Sequence, residues 1–255
     1  MRPMSEHAAA SERTKTAGRQ PHRVFQLLRA LTVALSENFL GGPKVVKMSW
    51  VINLQKGGTL PFVLLLMWAY QDFGPAAWVY AGLHGSYGLI WLLKDRVMPD
   101  PGWEKKLTFG GAFMTFAAVP GPYWFAPILL ISDLLGSAKP EPTAARMGIA
   151  VLVYAIGVVL MMVADAQKFF TLKVKRGLIT DGLFARIRHP NYLGEMMIYG
   201  SFAFLVGHWL PWLVLLYVWG AVFATNMAYK EASMSRYPEW AEYKKRSGLL
   251  LPRLG

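Results

Sequence analysis

Residues 145–167, ARMGIAVLVYAIGVVLMMVADAQ, decide the fold class. The run is apolar over a length that crosses a hydrocarbon core of ~30 Å, and it ends in a polar group, Asp165-Ala166-Gln167-Lys168. Working outward, comparable apolar stretches lie near 45–70, 75–93, 107–118, 122–136, 190–207 and 209–228. Together they predict an all-α polytopic integral membrane protein with about seven transmembrane helices. The third and fourth stretches are short and are divided by Val119-Pro120-Gly121-Pro122, which predicts a hairpin of tilted helices or one broken element. Val24 to Leu40 is amphipathic and interrupted by Arg29 and Glu37, as in an interfacial helix or a partial span. Residues 1–23 read as a disordered basic tail rather than a signal peptide, and 24–255 as a single multi-helix membrane domain.

Composition agrees with that class. With 54% hydrophobic residues, 10 Trp and 14 Phe, the chain is too apolar for an ordinary soluble domain. The formal charge of +12 lies largely in loops and tails, which suits contact with membrane lipid or an anionic cofactor. Nucleic acid is not an expected partner, because the basic residues form no continuous soluble face. The absence of cysteine excludes disulfides and thiolate chemistry, and the five histidines show no metal-ligand spacing, so no metal site is expected. Lys and Arg occur in the loops of both faces, so charge alone gives no orientation; the 168–188 loop is placed in the cytoplasm on the strength of the cofactor argued below.

The chemistry concentrates in Arg186-Ile187-Arg188-His189-Pro190-Asn191-Tyr192-Leu193-Gly194-Glu195. Pro190 suits the first helical position, so a helix should start there with Asn191 and Glu195 on one face and Gly194 admitting a close backbone. The helix start favours negative charge, and Arg186, Arg188 and His189 lie just upstream, so a phosphate-bearing cofactor would fit. A basic loop resting on lipid headgroups is the alternative, against which Glu195 weighs, since a carboxylate inside an apolar helix needs a partner or a role. Asp165 and Lys168 are three apart and would either neutralise each other or serve a nucleotide, Asp165 accepting from ribose hydroxyls and Gln167 and Lys168 meeting amide or phosphate groups.

Gly182-Leu183-Phe184 through Glu195 resembles the C-terminal signature of the steroid 5-alpha-reductase and sterol reductase group, and Asp165-Ala166-Gln167-Lys168 resembles an element of the sterol C14-reductases. Ser235-Arg236-Tyr237-Pro238, Tyr243-Lys244-Lys245 and Leu251-Pro252 are similar to the ending of the same superfamily, which also holds isoprenylcysteine carboxyl methyltransferases. The resemblance implies an NADPH site built from Asp165, Lys168, Asn191, Glu195 and Tyr237, with Lys173, Arg186 and Arg188 as phosphate partners. It further implies reduction of a carbon–carbon double bond in a lipophilic substrate such as a sterol, steroid or polyprenyl enone. An S-adenosylmethionine-dependent methyltransferase of lipid or prenylated carboxylates is the rival enzyme, and a lipid-binding membrane scaffold the non-enzymatic one.

The N-terminal half departs from that pattern. Leu54-Gln55-Lys56-Gly57-Gly58 is similar to the place where steroid reductases carry a Gln-Glu pair, and Leu83-His84-Gly85 to the place of their proton-donating tyrosine. Lys56 stands at the Glu position and Gly85 at the Tyr position, with Tyr87 two residues on. Reduction of an activated double bond needs a group that polarises a carbonyl or delivers a proton, so Lys56, His84 and Tyr87 are the catalytic candidates. Their other readings are a snorkelling lysine, a satisfied intramembrane histidine and a packing tyrosine.

Overall fold

The structure, a computed structural model, describes residues 18–134 and 140–253; most of the expected N-terminal tail therefore lies outside the described residues. It is 73% helical. An amphipathic helix α1 (Arg23–Glu37) precedes α2 (Met48–Ala69) and α3 (Pro75–Val97). A short α4 (Phe109–Ala118), a 3-10 turn at Gly121–Trp124 and α5 (Phe125–Ile131) follow, then the long α6 (Ala144–Val174), α7 (Pro190–Val206), α8 (Trp209–Met234, with a π-helical stretch at Val218–Phe223) and α9 (Trp240–Arg246). The only sheet among the described residues pairs β1 (Val46–Lys47) with β2 (Lys106–Leu107) in antiparallel register, tying the entrance of α2 to that of α4.

Every apolar stretch predicted from the sequence contains helix among its described residues, but the count of seven spans is not confirmed. Among the described residues three helices, α2, α6 and α8, are long and apolar enough to cross a membrane, and α4 with Gly121–Ile131, bent by 41°, makes a fourth if taken as one broken span. The others fall short for physical reasons. Helix α3 carries Gly82, His84, Gly85, Ser86 and Gly88 in its interior, which lower its mean hydropathy, and the 17 residues of α7 reach only about 26 Å. The surface nevertheless suits lipid: Trp50, Leu54, Leu65, Trp68, Leu152, Val159 and Leu216 are all exposed, far more apolar area than a water-facing surface carries.

Small residues set the helix spacing. A Cβ on Gly194 would lie 2.6 Å from the Met161 amide nitrogen and 2.7 Å from the Gly157 carbonyl oxygen, so the α6–α7 crossing requires glycine, as the sequence led us to expect. Gly88 of α3 meets the Lys56 carbonyl of α2 in the same way. These contacts bring α2, α3 and α7 around one interior, closed by α5 and α8 and filled by Met67, Tyr80, Tyr87, Ile131, Tyr199 and Phe202.

Candidate active site

The sequence places Lys56 in α2, Tyr87 in α3 and Tyr199 in α7, and the glycine crossings bring all three together. Lys56 is 5% exposed, so it does not snorkel. Its ammonium donates to the Tyr87 hydroxyl at 3.2 Å and to the Tyr199 hydroxyl. It also sits over three rings, with centroids at 4.2 Å for Tyr87, 4.5 Å for Trp91 and 4.7 Å for Tyr199. Ring faces and neutral hydroxyls thus replace water around this charge. Tyr123, from the turn before α5, covers the cluster by stacking on Tyr199 at 3.9 Å.

His84 lies one turn before Tyr87 on α3 and is 1% exposed. Its Nδ1 meets the Tyr80 hydroxyl at 2.8 Å and its ring stacks on Phe202 at 4.4 Å. Its Nε2 has no hydrogen-bond partner, one of few such atoms among the described residues. A cavity of about 10 Å³ beside Tyr80, Tyr123, Tyr199 and Phe202 has room for a single water.

Glu195 lies one turn before Tyr199 and is half-buried. Among the described residues it accepts no hydrogen bond and joins no ion pair. It is within electrostatic reach of Lys56, Tyr123, Tyr192 and Lys230. Tyr192 accepts from Lys230 at 3.1 Å and hydrogen-bonds Asn226, which follows the π-helical stretch of α8. Tyr229, which shares a face with Asn226 in the sequence, instead lies under Arg29 of α1 at 4.7 Å. Asp165 pairs with Lys94 of α3 at 2.6 Å rather than with Lys168, although Lys168 lies within reach of both. Asp165, Lys168, Tyr192, Glu195 and Lys230 therefore form one mixed-charge group beside the Lys56 cluster. Asn191, one helical turn before Glu195, stands at the entrance of α7.

The remaining expected cofactor residues lie elsewhere. Gln167 is occupied in holding the 181–183 turn, donating to the Asp181 carbonyl at 3.0 Å and accepting from the Leu183 amide at 3.1 Å. Arg188 is buried, with Nε 2.8 Å from Glu231 and Nη1 donating to the Ser247 carbonyl. His189 Nε2 meets the same Glu231 oxygen at 3.1 Å. Burial pushes the His189 imidazole below its usual pKa, and Glu231 partly restores it. Tyr243, whose hydroxyl donates to the Phe184 carbonyl at 2.7 Å, is pushed up to about 12 by burial. Backbone bonds from Arg188 to Gly248 and from His189 to Leu249 complete the clasp. Two of the three guanidinium nitrogens of Arg188, Nε and Nη1, are thus engaged inside the protein. Arg186 donates to the Arg253 carbonyl at 3.3 Å, Lys173 sits over Phe169 at 5.6 Å, and Tyr237 receives Arg236 at 3.1 Å; none of the three touches the Glu195 group.

Sequence reasoning missed Tyr199, Tyr123, Lys94 and Lys230. Tyr199 had a signal, because Asn191, Glu195 and Tyr199 recur every four residues along one helix face. The others are brought in by tertiary packing alone.

Residues 114–248, more than half of the chain, match the model of a family described as protein of unknown function, DUF1295. An uncharacterized protein of Schizosaccharomyces pombe is 32% identical over 111 residues, a match that covers 43% of this chain and 40% of the yeast protein. No solved structure matches the chain.

Proposed function

We propose, from the premise that this chain belongs to the DUF1295 family, that it is an NADPH-dependent reductase of a carbon–carbon double bond conjugated to a carbonyl in a lipophilic substrate. The observation that carries this reading is the Lys56–Tyr87–Tyr199 cluster, a buried ammonium bound only by neutral hydroxyls and ring faces beside a carboxylate that has no direct partner. A structural lysine at such depth would be expected to have an anionic partner in contact. The steroid 5-alpha-reductase-like character of the family points the same way. In this reading all seven apolar helices cross or enter the bilayer, and the 168–188 loop faces the cytoplasm.

The residues present fit a nicotinamide nucleotide. Asp165 has one carboxylate oxygen outside its bond to Lys94, and Glu195 has both, so the pair can accept from ribose hydroxyls or the carboxamide. Lys168 and Lys230 supply cations, and Asn191 stands at a helix start that favours phosphate. When bound, NADPH would supply a hydride. The chain's own part is the proton. Because Tyr87 and Tyr199 accept from the Lys56 ammonium, their O–H bonds are polarised and their phenolates would be stabilised, which suits delivery of a proton to a substrate that becomes an enolate. His84, with a free Nε2 and a bond to Tyr80, offers a second polar contact. Substrate entry requires Tyr123 to leave its stack, since the present cavity has room for no more than one water.

Thermal shift of the detergent-purified protein with NADPH, NADH and S-adenosylmethionine tests the reading, because only a ligand that binds the folded state raises the melting temperature. NADPH should stabilise, and more than NADH. Stabilisation by S-adenosylmethionine alone would replace the reductase with a lipid methyltransferase.

A further inference from the structure

We propose that a groove at the end of α8 binds the phosphate headgroup of an anionic phospholipid. After Met234 the chain turns through Ser235–Pro238 into α9 and returns along Leu249–Arg253, enclosing an open groove of about 900 Å³. Arg19, Arg236, Lys244, Lys245 and Arg253 line it together with Tyr237, and no carboxylate does. The buried Arg188 forms part of the wall, but Glu231 already neutralises it. The cations that remain are held without being cancelled. Arg236 donates to the Ser233 hydroxyl at 2.8 Å and to the Tyr237 hydroxyl at 3.1 Å, and Arg253 donates to the Lys245 carbonyl at 2.6 Å, all neutral acceptors. Glu242 approaches Lys245 at 3.6 Å, yet both side chains are largely exposed, so the pairing is weak. Four cations without an ion pair and a weakly paired fifth, two of them fixed guanidiniums, describe a phosphate site.

The groove's place in the fold says which phosphate. It begins at the last residue of a 26-residue candidate span, the depth at which lipid headgroups lie, and juxtamembrane Lys/Arg clusters attract anionic lipid. Leu249 and Leu251 on the returning segment are 40% and 69% exposed, placing apolar side chains next to the cations as a lipid requires and a free nucleotide does not. The inference is independent of the reductase reading.

The test uses the full chain in neutral detergent, titrated with phosphatidic acid, phosphatidylcholine, inorganic phosphate and NADPH and read by native mass spectrometry and thermal shift. Phosphatidic acid should bind and stabilise, phosphatidylcholine should not, and the binding should weaken as salt is raised. Arg236→Gln/Lys244→Gln/Lys245→Gln should lose more than tenfold in affinity for phosphatidic acid while keeping its affinity for NADPH. Should that variant not fold, Lys244→Gln alone should lose roughly fivefold. Unchanged lipid affinity in the variant overturns the site. Equal stabilisation by inorganic phosphate makes it a free-anion site, and a matching loss of NADPH affinity assigns the groove to the nucleotide; either result overturns the lipid.

Discussion

Lys56 and Arg188 are both cations buried in a largely apolar chain, 5% and 8% exposed, yet their surroundings solve the problem in opposite ways. Arg188 is met by a carboxylate, a carbonyl and a hydroxyl, and it fastens three segments: the entrance of α7, the end of α8 and the chain beyond α9. Lys56 is met by two phenols and three ring faces, with Glu195 near but not bonded. A paired charge spends its hydrogen-bonding capacity inside the protein and holds the fold together. A charge solvated by neutral groups keeps its field available to whatever arrives, the condition for stabilising a developing oxyanion. The contrast gives Arg188 a structural setting, and under the proposed reading it leaves Lys56 as the group that acts on the substrate.

Removing each cation should break the symmetry most sharply. Arg188→Ala leaves Glu231 without its guanidinium, and a loss of about 3–5 kcal/mol in stability is expected, read as a fall in melting temperature. Unchanged melting would return Arg188 to the pool of phosphate ligands. Lys56→Met should do the reverse: melting equal to or above wild type, because an apolar chain replaces a desolvated ammonium, and a fall of about 10²–10⁴ in turnover of lipophilic enones followed by NADPH oxidation. A Lys56→Met protein as unstable as Arg188→Ala would make both residues structural.

The neighbouring carboxylates sharpen the comparison at smaller scale. Glu195→Gln should weaken NADPH by more than tenfold, about 1.4 kcal/mol, with apo melting unchanged, since its partners belong to the ligand. Calorimetric titration showing wild-type affinity would remove Glu195 from the site. The smallest effect concerns pH. Burial keeps His189 neutral in the folded chain below the point at which an unfolded histidine protonates. Its contribution to stability is therefore complete above pH ~6.5 and declines as pH falls below that value, on the order of 1 kcal/mol or less. His189→Gln should flatten that acid limb of the melting profile; an unaltered limb would assign the decline to another group.

Much of this was written locally. The helix beginning at Pro190, the Gly194 crossing and the interruption at Val119–Pro120 follow from residue type and spacing, while the candidacy of Lys56, His84 and Tyr87 follows from the resemblance to the steroid reductases. Even Tyr199 was legible as the next residue on the Asn191–Glu195 face. Other features were not. Asp165 and Lys168 have the spacing of a helical ion pair, but Lys94, on another helix, takes the carboxylate at 2.6 Å. The cations before Pro190 suggested phosphate, and nothing local to them announces that Glu231, 43 residues beyond Arg188, pairs with the buried one.

The amino-acid sequence by itself determined an apolar helical chain, the starts and breaks of its helices and the residue types able to carry charge within it, because these depend on composition and on neighbours within a turn or two. Only the tertiary structure decided which cation has a carboxylate and which has only phenols. That choice depends on side chains from helices far apart in the chain, brought within hydrogen-bonding distance where glycines let the backbones touch.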